Sequence, residues 1–149
     1  MNSSAVVISG VALLISLYSL LRSVRNDRRD VSLKLHESLI DPKLQSGRKV
    51  LHEMRGGVES LTPEQYELAN RALATLDVAG FYCKKKYVNE EDFLDLWAPA
   101  LVTLKRAAGP FLAHRDSHTP SATPVWPHYR RLAERAEEHL RRRGVDIDG

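Results

Sequence analysis

Apolar residues run unbroken from position 5 to position 21, AVVISGVALLISLYSLL, and after that they recur only at helical spacing. The first pattern predicts a transmembrane helix. At about 1.5 Å per residue, roughly 20 helical residues cross the ~30 Å hydrocarbon core of a bilayer. The run of 17 is slightly short, so the polar N-terminus sits at one interface and Arg22 snorkels at the other. Tyr18 lies near the basic end, where an amphipathic ring prefers the headgroup level. A cleaved signal peptide needs a positive n-region and a small-x-small cleavage site. Here MNSS carries no side-chain charge and the run ends in LLRSVR.

Four arginines follow the run at once: Arg22, Arg25, Arg28 and Arg29. Basic residues are retained on the cytoplasmic side, which predicts a single pass with the N-terminus outside and residues 22–149 in the cytosol. The same four side chains are candidate contacts for anionic lipid headgroups. Within the run, Ala5, Ser9, Ala12, Ser16 and Ser19 are spaced 4, 3, 4 and 3 apart. That places five small side chains on one seam, a candidate surface for self-association as a homodimer.

Beyond the anchor the pattern is helical throughout. No alternating β-branched run and no Asn-Gly or Asp-Gly turn signals a strand. Residues 22–41 continue as a basic juxtamembrane helix or linker, with Val31, Leu35 and Leu39 on one face. Asp41-Pro42 reads as an N-cap followed by proline at the first helical position. That helix runs to Arg55, presents Leu44, Leu51 and Met54, and stops at Gly56-Gly57. Thr62-Pro63-Glu64-Gln65 is a capping box. The helix it opens carries Tyr66, Ala69, Leu73, Leu76, Gly80 and Cys83 along one seam, widened by Ala72 and Ala79.

Asn89 caps the next helix, and Glu90, Glu91 and Asp92 put negative charge in its first turn, matching the dipole. Its expected inner face is Phe93, Leu96, Trp97, Ala100, Leu101, Leu104 and Ala108. Pro99 is expected to kink it, and Pro110 to interrupt it before a last turn with Phe111 and Leu112. Residues 115–125, RDSHTPSATPV, read as a loop. The last helix begins near Trp126-Pro127, ends at Gly144 and buries Tyr129, Leu132, Ala133, Ala136 and Leu140. Its outer face offers the pairs Glu137–Arg141 and Glu138–Arg142.

The expected fold class is therefore all-α: a single transmembrane helix at 1–21, then a bundle of about four to five helices at 42–143. Residues 144–149 are expected as a flexible tail.

Composition narrows the function. The net charge of +3 and pI near 9.1 are modest, and the juxtamembrane arginines account for part of the excess. One cysteine excludes an internal disulfide and suits a reducing compartment. The triplets Lys84-Lys85-Lys86 and Arg141-Arg142-Arg143 fall where cations favour a helix C-terminus, and no aromatics interleave them, so nucleic acid is not an expected partner.

His114-Arg115-Asp116 matches a kinase catalytic loop by accident, because the Gly-rich loop, strand lysine and Asp-Phe-Gly segment are missing. His114 and His118 have helical metal spacing, but the surrounding loop composition argues against a site. No nucleophile has a base beside it. Neither a catalytic site, a cofactor nor a metal is expected. Trp126 and Tyr129, types common at interfaces, are the candidate partner surface.

The order of segments also carries a resemblance. A span and basic residues are followed by DPKLQSGRKVLHEM and the long LANRALATLDVAGFYCKKKYVNEEDFLDLWAPAL, then AAGPFLAHR and a Trp-Pro helix. This resembles small, membrane-anchored, all-helical families of unknown function found especially in actinobacteria. The resemblance implies fold and location and carries no activity. The expected role is a membrane-tethered interaction or scaffold module with an unknown protein partner. The alternative is a sensor of anionic lipid surfaces.

Overall fold

The computed structural model describes residues 3–54, 57–119 and 123–147; within the first helix, the side chains of residues 3–12, 24 and 25 lie outside that description. It is all-helical. The elements are α1 (Ser3–Ile40), α2 (Pro42–Glu53), a 3-10 turn (Val58–Ser60), α3 (Pro63–Lys84), α4 (Glu90–His118) and α5 (Pro127–Arg142).

The local start signals work as the sequence predicts. Asp41 accepts from the Lys43 N–H at 2.9 Å. Thr62 and Gln65 close a reciprocal capping box, and Asn89 accepts from the N–H groups of Glu91 and Asp92.

The four bundle helices pack in a ring, α2 on α3, α3 on α5, α5 on α4 and α4 on α2. Two of these contacts need glycine. A Cβ on Gly47 would lie 2.2 Å from the Leu68 carbonyl oxygen, and one on Gly80 would lie 2.3 Å from that of His128. Only a residue without a side chain lets α2 and α5 approach α3 so closely. The core joins Leu44 and Leu51 of α2 to Ala69, Leu73 and Leu76 of α3, then to Phe93, Leu104 and Phe111 of α4 and Tyr129 and Leu132 of α5. The C-terminal part of α1 belongs to it too, because Leu35 and Leu39 are buried and Val31 is half-buried.

Several expectations change. Pro110 does not interrupt α4, which runs unbroken through Pro99 and Pro110 to His118 and so takes in the first residues of the expected loop. Both prolines, and the residues four back (Asp95 and Arg106), are exposed, where water can satisfy the released carbonyls. Gly109 has no Cβ to meet the ring of Pro110. Buried side chains on either side, from Phe93 to Leu112, hold the helix together.

The inner face of α4 is also rotated: Leu94, Ala98 and Val102 are buried, whereas Leu96 is 67 % exposed. Within the expected tail, Ile147 is buried against the core, and residues 148–149 lie outside the described residues. Glu137 pairs with Lys105 at 2.9 Å, and Glu138 with Arg135 at 2.5 Å, so the expected i,i+4 pairs on α5 give way to other partners.

Among the described residues no helix is long and apolar enough to cross a membrane. The apolar run predicted to span one is only partly within them: Ala5, Ser9 and Ala12 lie outside the described side chains. From Leu13 to Leu21 the large apolar side chains of α1 are all exposed, between 52 % and 71 %.

Candidate anion-binding cleft

Where α1 leaves the bundle, it forms one wall of a cleft of about 750 Å³. Arg28, Arg29, Ser32 and His36 supply that wall, one stripe of the helix at i, i+1, i+4 and i+8. Lys84, the last residue of α3, with Lys86 and Tyr87 of the α3–α4 turn, supplies another. Cys83, Val88 and Phe93, all buried, give it an apolar lining, and Arg131 and Arg135 reach it from α5.

The turn carrying the lysines has a specific geometry. The Lys86 N–H donates to the Cys83 carbonyl at 3.0 Å and the Tyr87 N–H to that of Tyr82 at 3.0 Å. This motif needs a left-handed residue at its corner, and Lys86 occupies it with φ +59°. The strained backbone fixes where the Lys86 side chain leaves the chain.

The cleft is electropositive. Six cationic side chains line it against three acidic ones, Glu90, Glu91 and Asp92. Two of the acids are already engaged. Glu90 accepts from Arg131 Nη2 at 2.6 Å and from Arg135 Nε at 2.9 Å. Glu91 accepts from Arg142 at 3.2 Å and lies 3.1 Å from the buried ring of His139. Asp95 continues the ladder, 2.7 Å from Arg143 and 3.0 Å from His139. Burial alone raises the carboxyl of Glu90, but the hydrogen bonds from Arg135 and Arg131 outweigh it and hold it below the ordinary range.

Arg28, Arg29, Lys84 and Lys86 form no ion pair among the described residues. Arg131 keeps Nη1 buried without a hydrogen-bond partner. The thiol of Cys83 is pushed up to about 12, chiefly by burial and further by Glu90, with Arg131 opposing. It is an inert wall atom, as the helical seam predicts.

Known families, curated proteins and solved structures offer no guide, because the chain matches none of them. The resemblance to small actinobacterial membrane-anchored families thus rests on the quoted segments alone.

The residues singled out from sequence fare differently. Arg28 and Arg29 are brought to the cleft. Arg22 lies outside it on exposed α1, as do Ser16 and Ser19 of the small-residue seam, and the Arg25 side chain lies outside the described residues. Trp126 and Tyr129 are not a surface: they are 9 % and 0 % exposed. Trp126 stacks on Phe111 at 6.2 Å beneath Arg115, and burial raises the Tyr129 phenol, with the Arg130 charge opposing. The basic triplets split, since Lys84 and Lys86 line the cleft whereas Arg142 and Arg143 pair with Glu91 and Asp95. Helix α4 stacks His114 on His118 at 4.2 Å. Glu59 lies 3.9 Å from His114, yet among the described residues no three ligating side chains converge on a metal position.

Lys84, Lys86, Arg131 and Arg135 are the cleft residues that sequence reading did not assemble. Their signal was present, because the lysine triplet and the Glu90–Asp92 cluster flank one short turn. Its meaning depended on α1 and α5 arriving beside that turn.

Proposed function

We propose that this chain is a membrane-tethered, non-catalytic helical module that holds a basic surface against anionic lipid. The observation that carries the reading is the continuity of α1. One 38-residue helix joins the exposed apolar stretch, the juxtamembrane arginines and the buried core residues Leu35 and Leu39. There is no linker in which orientation could be lost. From Leu21, Arg28 and Arg29 lie about 10–12 Å along the helix axis, just past a headgroup layer of about 5–8 Å that their long side chains can reach back into.

The polarity of the charges supports a single pass with the N-terminus outside and the bundle in the cytosol, beside the more anionic leaflet. The burial of Trp126 and Tyr129 moves the emphasis from a protein partner to the lipid surface, because the side chains nominated for such a partner are spent on the core.

Carbonate extraction of membranes from cells expressing the chain tests the anchor. It should stay in the pellet, and protease added outside intact cells should spare the bundle. Release into the supernatant, or digestion of the bundle from outside, overturns the reading.

A further inference from the structure

We infer that the cleft between α1 and the α3–α4 turn is a binding site for a phosphomonoester group, carried by a membrane lipid or by a small solute. The inference deepens the lipid-surface reading and rests on it for the lipid source.

A flat basic patch would serve bulk anionic lipid as well as any other surface. This site is concave, and its volume of about 750 Å³ falls within the range of small-ligand pockets. Its unpaired cations stand on different elements, Arg28 and Arg29 on α1, Lys84 at the end of α3 and Lys86 on the turn that follows. Arg131, spent on Glu90 through Nη2, retains Nη1 as a buried donor without a partner.

Donors standing on several walls of one cleft fit a group with three terminal oxygens and close to two negative charges. That describes a phosphomonoester. A phosphodiester has two free oxygens and one charge, so it leaves some of these donors unmet. Asp92 at the same cleft disfavours a second anionic group there, and Glu91, held by Arg142, adds to that bias. The site therefore takes one compact phosphate head.

The test uses the full chain in nanodiscs. In discs of phosphatidylcholine with phosphatidic acid and phosphatidylglycerol at matched charge, native mass spectrometry of the released protein reads which lipid stays bound. Phosphatidic acid should be enriched about tenfold. In plain phosphatidylcholine discs, calorimetry with glycerol 3-phosphate reads the soluble source.

Enrichment without glycerol 3-phosphate binding assigns the site to lipid; saturable glycerol 3-phosphate binding without enrichment assigns it to a solute; both support the inference. Lys86→Gln and Arg28→Gln should each weaken binding about fivefold, whereas Arg106→Gln, an exposed arginine away from the cleft, should leave it unchanged. Equal occupancy by the two lipids together with no glycerol 3-phosphate binding overturns the inference. So does an equal loss from Arg106→Gln. A chain released by carbonate that still binds glycerol 3-phosphate would remove the anchor and keep the site.

Discussion

The carboxylate of Asp77, midway along α3, accepts the backbone N–H of Tyr129 at 2.9 Å, and the same oxygen accepts that of His128 at 2.8 Å. Helix α5 begins at Pro127 behind Trp126, which is left-handed at φ +53° and provides no side-chain cap. A cap is therefore supplied across space by a neighbouring helix. Asp77→Ala should cost about 1–2 kcal/mol, the loss of an N-cap, read by urea unfolding in detergent. Asp77→Asn keeps an acceptor oxygen and should cost less. Equal, negligible effects of the two would show that α5 does not depend on this cap.

Gly80 meets the start of α5 at the same junction. A Cβ placed 2.3 Å from the His128 carbonyl oxygen cannot be absorbed by a flexible side chain, so backbone must move. Gly80→Ala should destabilise by roughly 1–3 kcal/mol, although alanine is the better helix former. Gly47→Ala should do the same at the α2–α3 contact. Thermal melts that rise for either variant would contradict the close packing.

Lys86 separates stability from binding. It sits at φ +59°, a conformation that costs a side-chain-bearing residue about 1–2 kcal/mol and glycine almost nothing. After the extra entropy of an unfolded glycine, Lys86→Gly should gain roughly 0.5–1 kcal/mol. The same change removes a cleft cation and should weaken the ligand. Denaturation midpoint and affinity should move in opposite directions.

Glu90 sets an acid limb of stability. Its carboxyl is held below the ordinary range, so it binds its proton less readily folded than unfolded. Such a group adds stability above its unfolded pKa of about 4.3 and loses it as pH falls through the lower folded value. Glu90→Gln should be less stable than wild type at pH 7, and the gap should narrow on acidification below about pH 4.3. A gap that stays constant with pH would assign the loss to packing.

Cys83 gives a probe of opening. With the thiol buried and raised to about 12, iodoacetamide at pH 8 should label it only as the bundle opens. Labelling should therefore accelerate in Asp77→Ala and Gly80→Ala. Rapid labelling of the native wild type would show that the α3 seam is accessible.

What the chain's own pattern determined is local. Asp41, Thr62 and Asn89 mark helix starts because each cap is read from residues two or three places away. The buried seams of α3 and α5 follow from spacing alone, and so do the burial of Cys83 and the halt of α5 at Gly144. Tertiary structure decided whatever depends on distant neighbours. Buried side chains carry α4 through two exposed prolines, which local propensity reads as a kink and a break. Rotation of α4 exposes Leu96 and buries Leu94, Ala98 and Val102, a choice that the adjoining helices α2 and α5 make. Trp126 and Tyr129 turn inward because Phe111 and the core are there to receive them. Glu90, an unremarkable first-turn acid in sequence, becomes the partner of Arg131 and Arg135 across 41 and 45 residues. The cleft arises the same way, since short-range pattern places cations at helix ends and only packing brings α1, the lysine turn and α5 to one point.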